Sequence, residues 1–196
     1  MSLHITKIVR ATATLLFLGA LSAHSLELEH GEWRRVGPSF ACKVGSPQPL
    51  PPSAVTPDAL MMACLHMGPF VIRGEAGTLA SVLGTPHRSL PQPKGAKALM
   101  WFLGEQGRYP YFVATVLNDR IVALQVTGPA PAKDYSFNHI NLGDSTQTLT
   151  EYFGPAFRVD KSDQADTDVW YYEPWPFSFE VKGGQVTSIR ISDPAQ

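Results

Sequence analysis

Between Leu142 and Ile191 the spacing of apolar residues changes from helical to alternating. Leu149, Tyr152 and Phe153 recur at i, i+3, i+4, as on one face of a short helix. Asp144 is placed to cap that helix, with Gln147 reaching back in a capping box. Phe153-Gly154-Pro155 ends it, and an acidic loop follows. Trp170-Tyr171-Tyr172 then opens a strand. Phe177, Phe179 and Val181 alternate with Ser178 and Glu180, and Ile189 and Ile191 alternate with Ser188 and Arg190. That period of two predicts strands with one wet face. The stretch therefore reads as one helix followed by three antiparallel strands, with a turn at Gly183-Gly184.

A weaker copy lies upstream. Gly77 to Leu83 is expected to be a helix with Leu79, Val82 and Leu83 inside, stopped by Gly84-Thr85-Pro86. Ser89 to Lys97 reads as a loop. Leu99 to Leu103, Tyr109 to Val116 and Ile121 to Val126 read as strands, with a turn at Asn118-Asp119. Gly128 to Ala132 reads as a linker. The common order of features predicts an internal duplication. A helix of two or three turns is unstable alone in water and must lay its apolar face on a sheet. Joining the two units edge to edge would hide two strand edges. The expected fold class is α+β: two tandem helix-plus-antiparallel-sheet units, helices packed on one face of a shared or adjoining sheet.

The N-terminal part has a different grain. Met1 to Ser25 carries Lys7 and Arg10, then an apolar run from Ala11 to Leu21, then Ala23-His24-Ser25. It reads as a signal peptide cut before Leu26. The run is shorter than the ~20 residues of a spanning helix, and no Cys follows it for lipidation. Leu26 to Phe40 is expected to start irregularly, with Trp33 and Val36 docking on the core. Gly45 to Pro57 is Pro-rich and reads as a loop. Asp58 to Met67 reads as a helix capped by Thr56, with Pro57 at its first position and Leu60, Met61, Cys64 and Leu65 on its buried face. The expected plan is 1–25 signal peptide, 26–69 Pro-rich segment, 70–128 first unit, 129–139 linker and 140–192 second unit.

Charge and cysteine content narrow the function classes. The formal net charge is -1 and becomes -3 once Lys7 and Arg10 are removed. No clustered basic face speaks for nucleic acid. Cys42 and Cys64, an even pair in a chain with an export signal, read as a disulfide. Their spacing lacks the C-x-x-C arrangement of a redox or metal site.

The helix, Leu-Gly-x-Pro, the Trp-x-Tyr strand, the Phe strand, the Gly-rich turn and the Val-x-x-Ile strand resemble the BamE-type fold. That family contains small lipoproteins of the outer-membrane assembly machine. The tandem arrangement also resembles the β-lactamase inhibitor protein, built from two such units. The resemblance covers Phe70 to Ile191. It implies the fold and a protein-binding role, and no contact residues. The chain departs from the first family in lacking a lipidation Cys and in having two units. It departs from the inhibitor in having one Cys pair, placed before the first unit.

Reactive constellations are weak. Gly143-Asp144-Ser145 is similar to the Gly-Asp-Ser nucleophile of one lipase class, but no His follows His139 to act as base, and a helix cap explains the same residues. Asp160, Asp163, Asp166 and Asp168 crowd one loop without the Gly and Glu of a calcium-binding EF-hand. His30, His66, His87 and His139 are scattered, without the pairing a zinc site requires. Glu27, Glu29 and His30 read as a polar new N-terminus. Glu173 and Glu180 are the nearest pair for glycoside chemistry. Trp170 to Phe179 is dense in aromatics, and strand alternation keeps part of it outside.

The expected function is therefore an exported, periplasmic or secreted, non-catalytic protein-binding module with no cofactor and no metal. Its expected partner face is Tyr109, Tyr111, Tyr171, Tyr172 and Trp175. A small-ligand or glycan-binding protein is the alternative, and a hydrolase comes third.

Overall fold

The computed structural model describes residues 30–45, 56–104, 108–132 and 134–196. The expected signal peptide and most of the Gly45–Pro57 loop lie outside them. The described chain opens with a hairpin, β1 (Glu32–Val36) and β2 (Ser39–Lys43), turning at Gly37-Pro38. The irregular start expected at Leu26 falls mostly on residues 26–29, outside the described ones, and the hairpin that follows was not expected. Trp33 pairs with Cys42 and Arg35 with Phe40, so alternation sends Trp33 and Phe40 to the same face, and both are buried. Val36 sits at the last pair before the turn and is 60% exposed, not docked.

Helix α1 (Pro57–Ala63) starts as its sequence dictates, with Thr56 Oγ1 accepting the Ala59 N–H at 3.1 Å. It ends before Met67. Cys64 and Leu65 are buried just past its end, and β3 (His66–Met67) pairs with β4 (Phe70–Val71). The apolar face expected on the helix is thus completed by the chain that leaves it. Cys42 and Cys64 form a disulfide that ties β2 to this point.

Helix α2 spans Gly77–Leu83. It is followed by β5 (Arg88–Pro91), a 3-10 turn at Pro93–Gly95, β6 (Lys97–Phe102), β7 (Tyr111–Leu117) and β8 (Arg120–Thr127). Helix α3 (Thr146–Phe153) leads into β9 (Arg158–Lys161), β10 (Thr167–Tyr171), β11 (Phe177–Lys182) and β12 (Gln185–Ser192). Each helix therefore precedes four strands, not three. The extra strands, β5 and β9, fall in stretches that read as loops, because both lie at a sheet edge and are exposed throughout. Pro91 is tolerated there since an edge strand can spare an N–H.

All eight strands form one antiparallel sheet in the order β5-β6-β7-β8-β12-β11-β10-β9. The centre is the β8–β12 pairing, with Val126 opposite Ile189 and Leu124 opposite Ile191. These residues share a face with Phe112, Phe177 and Phe179 across the neighbouring strands. On that face Phe153 from α3 packs 5.0 Å from the Phe177 ring and 5.4 Å from Phe179. Phe40 of the hairpin lies 5.6 Å from Phe177.

Both helices end alike. Gly84 and Gly154 take positive φ, +73° and +71°, and each carbonyl accepts a bond from a buried aromatic: Trp101 Nε1 at 3.0 Å and Tyr172 Oη at 2.9 Å. The helix starts differ from expectation. Ser145 caps α3, its Oγ accepting the Thr148 N–H at 3.1 Å. The Asp144 carboxylate instead accepts the Asn141 N–H, and Gln147 donates to Glu151. On α2, Leu79 is buried and Leu83 half-buried, but Val82 is 56% exposed. Two helical turns present too narrow a strip for three contacts with the sheet.

Phe153→Ala should cost about 3–5 kcal/mol in urea unfolding, whereas Val82→Ala should change stability by less than about 0.5 kcal/mol. Replacing Cys42 and Cys64 by Ser should cost about 3 kcal/mol by the loop-entropy argument. Equal effects of Phe153→Ala and Val82→Ala would contradict the assigned core face.

Candidate binding site

The face of the sheet opposite Phe177 and Phe179 is not covered by either helix. Its strand register builds one row across all eight strands: Arg88, Met100, Val113, Gln125, Arg190, Ser178, Tyr171 and Arg158. Over the second half of that row lies an open groove of about 610 Å³. Gln125, Ser178, Glu180, Ser188 and Arg190 form its floor. Tyr171, Glu173 and Trp175 stand on one side, Lys161 to Asp163 on another, and Asp193-Pro194 closes an end.

The floor is an ordered polar network at the β8–β12 seam. Thr127 and Ser188 are only 4% and 1% exposed. Their hydroxyls bond each other at 2.9 Å, and each accepts an N–H from the Gln125 amide, at 3.2 and 3.0 Å. Gln125 Oε1 then accepts from Arg190 Nη1 at 3.2 Å. Arg190 keeps solvent access, yet crowding by the adjacent strands lowers its guanidinium pKa through desolvation, with Tyr171 opposing. It stays cationic at any physiological pH.

The walls are held by ion pairs. Arg158 stacks 3.9 Å above the Tyr171 ring and donates to Glu173 at 3.0 Å and to Asp160. At the far end Asp193, 7% exposed, takes two bonds from Arg73, at 2.9 and 2.8 Å, while Arg73 also reaches Asp58 at 2.7 Å. Arg73 hydrogen bonding holds the Asp193 carboxyl below the usual range and raises the Arg73 pKa.

The structure disperses the expected partner face. Tyr171 and Trp175 are half-buried and border the groove. Trp175 also leans on Trp33 and Phe40, at 5.6 and 5.9 Å. Tyr109 (53% exposed) and Tyr111 stand together, 5.5 Å apart, beyond the groove lining. Tyr172 is corrected outright: it is buried in the core, and burial pushes its phenol pKa upward. Glu173 and Glu180 both line the groove, with Glu180 accepting from Ser162 Oγ at 3.2 Å. Ser145 is a helix cap bonded to Thr148, not a nucleophile beside a base. Asp160 pairs with Arg158 and Asp168 with Lys161. His30 stacks on His66, His139 contacts Glu32, and His87 accepts from the Phe102 N–H. No three His, Cys, Asp or Glu side chains converge on a metal position among the described residues.

Gln125, Arg190, Thr127 and Ser188 were not singled out from the sequence. The available signal was Gln125 inside an otherwise apolar strand, matched by Arg190 on a second strand of the same length.

No protein-family model and no curated protein matches the chain. Among solved structures it is similar to a cysteine-rich secretory protein from Staphylococcus aureus, at 14% identity over 62% of this chain and 44% of that one, with a TM-score of 0.42. A DUF4309 family protein from Bacillus subtilis matches at 16% identity over 65% of this chain and 81% of that one, TM-score 0.42. A proposed β-lactamase inhibitor protein from Streptococcus mutans matches at 14% identity over 62% and 82%, TM-score 0.27. The chain spans less than half the length of the first of these. At this level of similarity none assigns a function.

Asp193→Asn should cost about 2 kcal/mol, the value of a charge-assisted pair that is partly exposed on the Arg73 side. Because the folded carboxyl has the lower pKa, this stabilisation is full above the ordinary carboxylate range and is lost as pH falls through the folded value. The wild-type advantage over Asp193→Asn in urea midpoints should therefore hold at pH 7 and shrink toward pH 3. An advantage that grows on acidification would refute the pairing.

Proposed function

We propose that this is an exported, non-catalytic module that binds a protein partner on the open face of its sheet, at the groove bordered by Tyr171 and Trp175. The observation that carries the reading is the two-sidedness of the eight-stranded sheet: one face is closed by helices and hairpin, and the other presents a polar floor between aromatic walls. Groups of this kind, half-desolvated and rimmed by polar residues, are typical interface anchors. The groove is open rather than enclosed, which suits a protein surface better than a small ligand that must be mostly buried.

The same reading takes the chain as two tandem units preceded by a Pro-rich, disulfide-tied segment, in the domain plan given above. Residue-level correspondences support it. Arg73 and Gly143, both at positive φ, donate to Ile121 and Val186, whose N–H groups return bonds to Gly74 and Asp144. Arg88 stacks over Phe102 as Arg158 stacks over Tyr171. The numbering offset is the same for Arg73/Gly143, Leu79/Leu149, Gly84/Gly154 and Arg88/Arg158. A two-unit protein of this kind is what the inhibitor-type resemblance implies, and an envelope assembly factor or an enzyme inhibitor is the role that the BamE-type and inhibitor-type resemblances point to. The disulfide fits a periplasmic or extracellular setting. Among the described residues no helix is long and apolar enough to cross a membrane. Glycan binding is the second reading, favoured by Tyr171 and Trp175 beside hydroxyl and amide groups.

Affinity capture from an envelope extract with crosslinking and mass spectrometry tests the proposal. Crosslinks should map to β10–β12 on the open face. Tyr171→Ala, with an unchanged melting curve, should weaken capture by about 30-fold, the loss expected of an interface anchor of about 2 kcal/mol. Crosslinks confined to α2 and α3, or full capture by Tyr171→Ala, would overturn it.

A further inference from the structure

Resting on that protein-binding reading, we propose that the Arg190 guanidinium, aimed by Gln125, receives a carboxylate of the partner, so that the open face selects a protein segment carrying one Asp or Glu side chain at this position. The floor network is built for orientation. Both amide N–H groups of Gln125 are used, on Thr127 and Ser188. Its Oε1 is therefore left to face Arg190, and the amide cannot flip without losing both donor bonds. Thr127 and Ser188 are buried where apolar residues would serve the seam equally well, since buried hydroxyls gain little net stability over an apolar pair. Their arrangement fixes one guanidinium edge.

The rest of that guanidinium faces the groove. Arg190 has one hydrogen bond and no carboxylate within ion-pair reach among the described residues. The neighbouring cations differ: Arg73 is held by Asp193 and Asp58, Arg158 by Glu173 and Asp160, and Lys161 by Asp168. The open edge of a planar fork matches a carboxylate in a bidentate fashion. Ser178, opposite Arg190 on β11, offers a hydroxyl beside it.

Charge density decides the anion. Glu173, Glu180 and Asp163 also line the groove. Among the described residues Arg190 is the one cation of the groove lining without an ion pair, so it accepts a singly charged carboxylate, while a phosphate dianion, a sulfated polymer or a run of acidic side chains would meet net repulsion. The open shape favours a carboxylate carried on a chain that makes further contacts with Tyr171 and Trp175.

The test uses disulfide-intact, ¹⁵N-labelled protein and a blocked Gly-Ala-Glu-Ala-Gly peptide, which carries a single carboxylate, followed through the Arg190 Nε–H resonance. The same peptide with Gln in place of Glu, succinate and inorganic phosphate serve as comparison probes. The Glu peptide should shift that resonance and bind at least 10-fold tighter than any of the other three. Arg190→Gln should weaken binding at least 10-fold. Arg190→Lys, which keeps the charge and loses the fork, should weaken it several-fold. Gln125→Leu should leave the protein folded at the assay temperature, displace the Arg190 Nε–H resonance in the free protein and weaken the peptide several-fold, which a merely structural role would not do. Equal binding by Arg190→Gln, or phosphate, succinate or the Gln peptide binding as tightly as the Glu peptide, would overturn the proposal. The two readings fail separately. A partner crosslinked to the open face but indifferent to Arg190→Gln removes the carboxylate site and leaves the interface. Glu-peptide binding at Arg190 with no protein captured on that face removes the interface and leaves the carboxylate site.

Discussion

Hydrogen bonding between β8 and β12 turns two four-stranded sheets into one. It removes two strand edges that would otherwise invite pairing with other chains. It also fixes what lies on each side. With Val126 opposite Ile189 and Leu124 opposite Ile191 on the core face, alternation places Thr127 opposite Ser188 and Gln125 opposite Arg190 on the other. A slip of one residue would exchange the faces, burying Arg190 and exposing Ile189 and Ile191. The apolar core and the polar floor are therefore two consequences of one register.

The two halves differ in what covers them. The hairpin β1–β2 lies over the second half. Phe40 enters the cluster of Phe153, Tyr172 and Phe177, and Arg35 donates to the Phe153 carbonyl at the end of α3. The Arg35 guanidinium occupies the space that a side chain at Gly154 would need, whereas Gly84 has open space beside it. Asn138 fastens the hairpin edge, accepting the Trp33 N–H at 2.6 Å and donating to the Trp33 carbonyl at 3.0 Å. The disulfide holds the same hairpin from its other strand. Since Trp175 rests on Trp33 and Phe40, this N-terminal strap also sets one wall of the groove. In the first half Tyr135 takes a comparable place, 5.0 Å from Phe112.

The parts of the fold legible in the sequence were those in which local pattern and tertiary packing agree. Helix α2, the N-cap of α1, the alternation in β11 and β12, and the Cys42–Cys64 bridge are of this kind. The hairpin was missed because Trp33 and Phe40 are separated by charged residues and a turn, and their shared face exists only once the strands pair. Edge strands β5 and β9 carry too few buried residues to leave a period. Tyr172 was misplaced because Trp170, Tyr171 and Tyr172 look alike in sequence. Its hydroxyl has an interior partner in the Gly154 carbonyl that only the fold supplies. The site itself was half legible: the aromatic walls showed, but the floor needs Gln125 and Arg190, far apart in the chain, to meet across the seam.

The most direct test of the account is hydroxyl-radical footprinting of the protein alone and bound to its captured partner. The open face is the surface at stake, so Tyr171 and Trp175 should be oxidised in the free protein and protected in the complex. Tyr152 and Phe157, on the core side, should be oxidised equally in both. Protection of Tyr152 and Phe157 with Tyr171 and Trp175 unchanged would place the partner on the helix-covered side and contradict it.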